Sequence, residues 1–128
     1  MRKVQEDFGK LWELNAVWNY LTPDEKEFID KHTEIKRYRK NEVIHSEGDQ
    51  TTHVVMVVQG TVRLTKEGVG QRLQIIRLLK PYDTFGYRSA IAGDRHSTCA
   101  TTLEATVTYR IEREAFLEVI QKNIGFCV

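Results

Sequence analysis

Four histidines, two cysteines and one glycine-led, arginine-bearing segment are the places where this chain could do chemistry. His32, His45, His53 and His96 raise the question of a metal. Small β-rolls that bind metals converge paired histidines and a carboxylate from neighbouring strands at about 2.0–2.2 Å, and His45-Ser46-Glu47 lacks the second histidine of such a pair. The spacing therefore predicts no metal site, and histidines that are solvent-exposed or capping, with His32 at a helix end where a cation meets the dipole. Cys99 and Cys127 are too few for a four-thiolate cluster and lack C-x-x-C spacing, so they read as buried or inert thiols. No nucleophile elbow, phosphate-binding P-loop, H-E-x-x-H or paired-acid spacing occurs, and an enzyme is not expected. Gly68 and Gly70 read as a hairpin tip between alternating strands.

The segment from Phe85 to Gly93 carries more. It is long enough for two helical turns, with Gly86 ahead of it and Gly93 as its stop. The first amides of a helix have no partner within it, so if this end faces the interior of a β body, the amides around Gly86, Tyr87, Arg88 and Ser89 form an anion site. Three arginines lie close to it in sequence. Arg88 is within the segment, Arg95 follows it, and Arg77 shares strand parity with Leu73 and Ile75, which are expected to point inward. An arginine that enters the interior adds a guanidinium to the amides. The alternative places Arg77 and Arg95 at rims with their charged ends in water, and pairs Arg88 with a surface carboxylate.

These residues need elements to position them. Phe8, Leu11, Trp12, Leu14, Trp18 and Leu21 recur at helical steps. Thr22-Pro23-Asp24-Glu25 is a second helix start, with a hydroxyl to cap a free amide, a proline with no amide to satisfy and a glutamate that can reach back; this helix should run to about His32, with Phe28 and Ile29 as its narrow buried stripe. From Ile35 the apolar period changes to two. Ile35 to Arg39, Glu42 to His45, His53 to Gln59, Gly60 to Thr65, Arg72 to Leu79, Cys99 to Thr102 and Ala105 to Ile111 are short β-type runs separated by turn residues. Strands and turns alternate too often for a βαβ sheet. Glu112 to Lys122 closes the pattern with a helical stripe of Phe116, Leu117 and Ile120. Lys36 to Lys40 is a basic run around Tyr38 that reads as a solvated strand edge, since such charges discourage edge pairing.

Composition sets bounds on what this assembly can be. The chain has 128 residues, 19 basic against 18 acidic side chains, and 41% hydrophobic content. That is one domain, able to bury about two-thirds of the surface its unfolded form exposes. No apolar run approaches the roughly 18 to 20 residues of a membrane span, and Met1 to Asp7 lacks a signal-peptide apolar region, so a cytoplasmic location is expected. A net charge of +1 argues against strong DNA binding by this chain alone, because phosphate neutralisation supplies most non-specific affinity.

Five segments, in order, carry a resemblance. They are Lys40-Asn41-Glu42-Val43-Ile44; Glu47-Gly48-Asp49 with Val55 to Gly60; Pro81-Tyr82-Asp83-Thr84-Phe85-Gly86; Leu103-Glu104-Ala105-Thr106; and Ile111-Glu112-Arg113-Glu114-Ala115-Phe116. Over about residues 10–124 the chain resembles the cyclic-nucleotide-binding fold, specifically the N-terminal sensor domain of CRP/FNR-type bacterial transcription regulators. The resemblance implies a mainly β domain with flanking helices, a double-stranded β-helix or jelly-roll-like body. One sensor domain would fill residues 1–128, with N-terminal helices in 1–34, the β-roll in 35–111 with a short cassette helix in 86–93, and the start of a C-terminal helical region in 112–128.

It also implies a ligand site, and the chain departs from the family there. In cyclic-nucleotide binders a glutamate that takes the ribose hydroxyl follows the cassette glycine; here that position is Tyr87. The arginine that pairs with the cyclic phosphate aligns with His96, while its hydroxyl neighbour is kept as Ser97. An imidazole in place of a permanently charged fork forfeits a bidentate contact, a loss of about 1.5–3 kcal/mol. Ordinary cAMP binding is therefore expected to be weak, and the ligand implied is a cyclic nucleotide or another small anion.

Regulators of this type continue into a dimerisation helix and a helix-turn-helix module that reads DNA. The expectation is a chain cut at the sensor's edge, with Ile124, Phe126 and Val128 opening a helix that buries against a partner, homodimerisation in the full-length protein, and DNA contact only through the missing domain. Two function classes stay open. One is a sensing domain for a small anionic or nucleotide-like effector. The other is a degenerate roll that binds no small molecule and serves as an oligomerisation or protein-contact module, which bulky side chains such as Tyr82 and Tyr87 filling the interior would favour.

Overall fold

The computed structural model describes residues 21–68, 70 and 72–122. The helical stripe expected from Phe8 to Trp18, and Cys127 with the apolar residues 124, 126 and 128, lie outside them.

Helix α1 (Pro23–Lys31) starts where the capping chemistry placed it. The Glu25 amide donates to the Thr22 hydroxyl at 3.2 Å and the Thr22 amide donates to the Glu25 carboxylate at 2.8 Å, a reciprocal box that satisfies two free donors. His32 is the C-cap, and its Nδ1 lies 3.3 Å from a Glu112 carboxylate oxygen.

Eight strands follow: β1 (Thr33–Tyr38), β2 (Val43–His45), β3 (His53–Gln59), β4 (Val62–Glu67), β5 (Leu73–Leu79), β6 (Thr84–Phe85), β7 (Cys99–Thr102) and β8 (Thr106–Glu112). Helix α2 (Tyr87–Ala92) interrupts them between β6 and β7, and α3 (Arg113–Lys122) closes the described chain. The strands form two four-stranded antiparallel sheets, ordered β1-β8-β3-β6 and β2-β7-β4-β5. This is a mainly β roll with flanking helices, as the resemblance implied. The two-residue strand β6 was not anticipated, because two residues carry no readable period.

Strand β3 shows how the core is divided. Val54, Met56 and Val58 pack with Tyr109, Ile111 and the helix residues Ile29, Ala115, Phe116, Val119 and Ile120. Val55 and Val57 face the other way and pack with Val62, Leu79, Phe85 and Ala100, which come from both sheets. The strand is buried on both faces, which explains its unbroken valine-rich run. Edge strand β1 carries the basic run, and Lys36 and Arg37 are exposed there.

Gly60 holds the turn between β3 and β4 at φ 100°, where a Cβ would lie 2.7 Å from the Ala105 carbonyl oxygen and 2.5 Å from the Thr106 hydroxyl. Only glycine fits both the conformation and the space.

The inward orientation expected of Leu73 and Ile75 is not found. Leu73 and Ile75 are 70% and 64% exposed. β5 pairs with β4 alone at the sheet edge, and among the described residues nothing covers its faces until Leu79, so strand parity does not translate into burial.

Candidate ligand-binding hollow

Gly86 is the pivot of the site. It adopts φ 87° as the N-cap of α2, and a Cβ there would lie 3.2 Å from the His53 carbonyl oxygen and 3.6 Å from the His96 ring. β6 pairs with β3 through Val55 and Phe85, so the turn into α2 is held against the middle of the roll. At the far end the chain turns at Gly93, φ 73°, whose amide bonds the Ser89 carbonyl.

In front of this corner is a hollow of about 410 Å³, within the range of small-ligand sites. Of the eight residues nominated from the sequence, seven line it: Arg77, Gly86, Tyr87, Arg88, Ser89, His96 and Ser97. The rest of the wall is His45, Leu64, Ile76, Thr84, Phe85 and Thr98. The bend at Gly86 thus opens on this hollow. Tyr82 does not fill it, being exposed and outside the lining, while Tyr87 forms part of the wall and packs against the helix-side core.

Arg95 is the exception. A bridge between Gln50 and Arg95 turns it toward the loop after β2, where its guanidinium donates to the Gly48 carbonyl at 2.8 Å, and it lines a neighbouring polar cleft with Gln50, Thr51, Asp94, Arg113 and Glu114. Arg77 stands at the rim, half-exposed, with its guanidinium 3.9 Å from Asp83. Arg88 is exposed and its guanidinium lies 6.0 Å from the Tyr87 ring centre, a cation–π distance.

His45 was missed as a site residue and overturns the expectation of exposed or capping histidines. It is buried, 9% exposed, with its ring stacked on His96 at 3.5 Å between centres and 8° between planes. Phe85 packs on it at 5.8 Å. Burial pushes the His45 imidazole down to about 4; the His96 ring adds to the push, and Asp49 and the Thr98 backbone oppose it. Burial lowers His96 as well, against Asp49. At neutral pH both rings are therefore uncharged. His45 Nε2 and the Thr84 hydroxyl are buried without hydrogen-bond partners, and both residues line the hollow. No alternation in the sequence signals this: Val43, two residues before it, is exposed, and a register shift between Val43 and His45 breaks the strand's period.

The loop carrying His96 is fixed by its backbone. The Gly48 amide donates to the His96 carbonyl and the His96 amide to the Asp49 carbonyl, each at 2.9 Å. On the far side of α2, Arg113 Nε donates to the Ala90 carbonyl at 3.0 Å, which ties the start of α3 to the short helix. Among the described residues no three histidine, cysteine, aspartate or glutamate side chains cluster as a metal would need, and no helix is long and apolar enough to cross a membrane.

The profile of the cyclic nucleotide-binding domain matches residues 35–123. The chain belongs to this family. Among solved structures it is similar to the cAMP-bound PfPKA-R fragment 141–441, at 23% identity and a TM-score of 0.84 over 95% of this chain and 46% of that one. It is similar to the catabolite activator protein of Thermus thermophilus, at 24% identity and a TM-score of 0.75 over 87% of this chain and 52% of that one. The sensor domain of the transcriptional regulator DNR from Pseudomonas aeruginosa superposes with a TM-score of 0.82 at 14% identity, covering 91% of this chain and 79% of that one. The chain thus spans about half the length of the first two. No curated protein matches the sequence. At these identities the neighbours show the shared fold, in which CRP/FNR-type regulators and protein kinase A regulatory domains both appear.

Proposed function

We propose that this cyclic-nucleotide-binding-type domain is the effector-sensing part of a CRP/FNR-type transcription regulator, taking a small anionic or nucleotide-like ligand in the hollow at Gly86. The observation that carries this reading is the convergence of Gly86, Tyr87, Arg88, Ser89, His96 and Ser97, distant in part along the chain, on one open space in the roll. The residue types there are cationic, hydroxylic or aromatic, and suit a small ligand with a negative group and an apolar body. Enzymatic activity has no residues to support it, and none is proposed.

Signalling would run through the helical end of the domain. Arg113 joins α3 to α2 beside the hollow, so a ligand that prefers one setting of α2 biases the helix that would lead to a dimer partner and a helix-turn-helix module. A ligand acts on such an equilibrium only through its difference in affinity for the two states.

A second reading has its own observation. Leu73, Ile75, Ile76 and Leu78 leave edge strand β5 apolar and exposed, which suits an oligomerisation or protein-contact module. Calorimetric titration with cyclic AMP of the wild-type chain and of Arg88→Ala separates the two. The effector reading expects binding in about the millimolar range, weakened several-fold by Arg88→Ala with the unfolding midpoint unchanged. Micromolar affinity would overturn the expectation of weak cAMP binding. Equal losses in folding and binding would remove Arg88 from the site.

A further inference from the structure

We infer that the hollow binds its anion by taking up a proton: the stacked His45–His96 pair carries a single positive charge when a negatively charged oxygen enters. This deepens the proposed effector reading and rests on it.

The geometry carries the argument. The His96 ring lies flat on His45, with 3.5 Å between ring centres. His45 lines the hollow, and its Nε2 is buried without a hydrogen-bond partner. Leaving such an atom unpaired is costly, and a charge on the pair is costlier still unless an anion accompanies it. Two imidazolium rings at this separation would repel strongly, so the pair holds one proton at most.

The charges facing the pair decide what triggers uptake. Asp49, from the loop after β2, favours the proton on either ring. Arg77 at the rim of β5 is balanced by Asp83. Arg88 on α2 faces the hollow from its exposed end, over the Tyr87 ring, and Arg95 is turned to the Gly48 carbonyl. Burial outweighs Asp49, so the free pair is neutral near pH 7. An anionic oxygen beside the rings adds the second negative charge that tips the balance, with the proton drawn from solvent. His96, the less buried ring, takes it first, and His45 holds the neutral partner position in the stack.

Linkage gives the sign. The ligand raises the pKa of the pair, so affinity is highest at acidic pH and falls as pH rises through the bound-state value. A phosphodiester keeps one negative charge throughout, which makes cyclic AMP the suitable probe; inorganic phosphate distinguishes recognition of a free anion from recognition of a nucleotide. The measurement is calorimetric titration of the whole chain with each probe at about pH 6 and about pH 8, in two buffers of different ionisation heat, which counts the protons taken up per ligand.

The expected result is net proton uptake and an affinity about tenfold tighter at the lower pH. His96→Arg, which places a permanent charge on a loop held by its backbone, should bind more tightly at the higher pH and take up no proton. His96→Gln should lose both the acid-side gain and the uptake. Binding with no proton exchange and no pH dependence in the wild-type chain overturns the inference while leaving the effector reading intact. Absence of binding by both probes at both pH values overturns the effector reading, and the inference with it.

Discussion

His45 is the residue where folding and recognition conflict. A buried imidazole with a bare Nε2 contributes less to stability than an apolar side chain of its size would. Its depressed pKa has a defined consequence. In the unfolded chain the ring titrates near its ordinary 6.5, while burial holds it near 4 in the fold. Between these values the unfolded state binds more protons, so stability is fully present above about pH 6.5 and falls as pH drops toward 4. The loss from this ring alone is about 2 kcal/mol at pH 5, and His53 and His96, both lowered by burial, act in the same direction. Urea unfolding at pH 5 and pH 7.5 should show this difference, and His45→Gln should shrink it; an unchanged pH dependence in the variant would refute the assignment.

At the scale of elements, one turn admits no side chain and one edge strand leaves its apolar residues exposed. The Gly60 turn tolerates no side chain, since its φ of 100° and the 2.7 Å approach to the Ala105 carbonyl exclude a Cβ. Gly60→Ala should cost more than about 2 kcal/mol, against about 1 kcal/mol for the same change at Gly48, where nothing lies within 4 Å and only the backbone strain at φ 89° remains. Chemical denaturation of the two variants tests the ordering. The capping box at Thr22 gives a milder expectation: Thr22→Ala removes the hydroxyl that accepts the Glu25 amide, at about 1 kcal/mol. The open edge is β5, whose apolar residues lie on the surface and whose outer amides have no strand partner within the described chain.

The whole molecule is therefore uneven in stability. β3 and β8 are central in their sheet and buried on both faces, whereas β5 packs inward only at Leu79. Hydrogen exchange should find the β3 and β8 amides slowest, opening with the global unfolding, and the β5 amides fast. Equal protection of β5 would mean that something covers it, as the protein-contact reading holds. Ligand in the hollow should slow exchange most around Gly86 to Ser89 and at the α3 end joined through Arg113.

Much of this organisation was legible in the chain. Thr22-Pro23-Asp24-Glu25 announces α1 because capping is local chemistry between residues three apart. The change of apolar period at Ile35, the strand runs and the paired glycines at 86 and 93 likewise depend on near neighbours, and they sufficed for the roll and the place of its short helix. The seven hollow-lining residues were named from spacing and resemblance.

What the sequence could not supply was decided by contacts between distant elements. Arg95 leaves the hollow because a bridge to Gln50 redirects it. Leu73 and Ile75 stay exposed because, among the described residues, nothing packs on the faces of β5 there. His45 lies 51 residues from His96, and it takes the pairing of β2 with β7 and the backbone bonds of Gly48 and Asp49 to His96 to stack the two rings. Local periodicity says which face of a strand a residue takes; which faces are covered, and which charges meet there, is a property of the assembled roll.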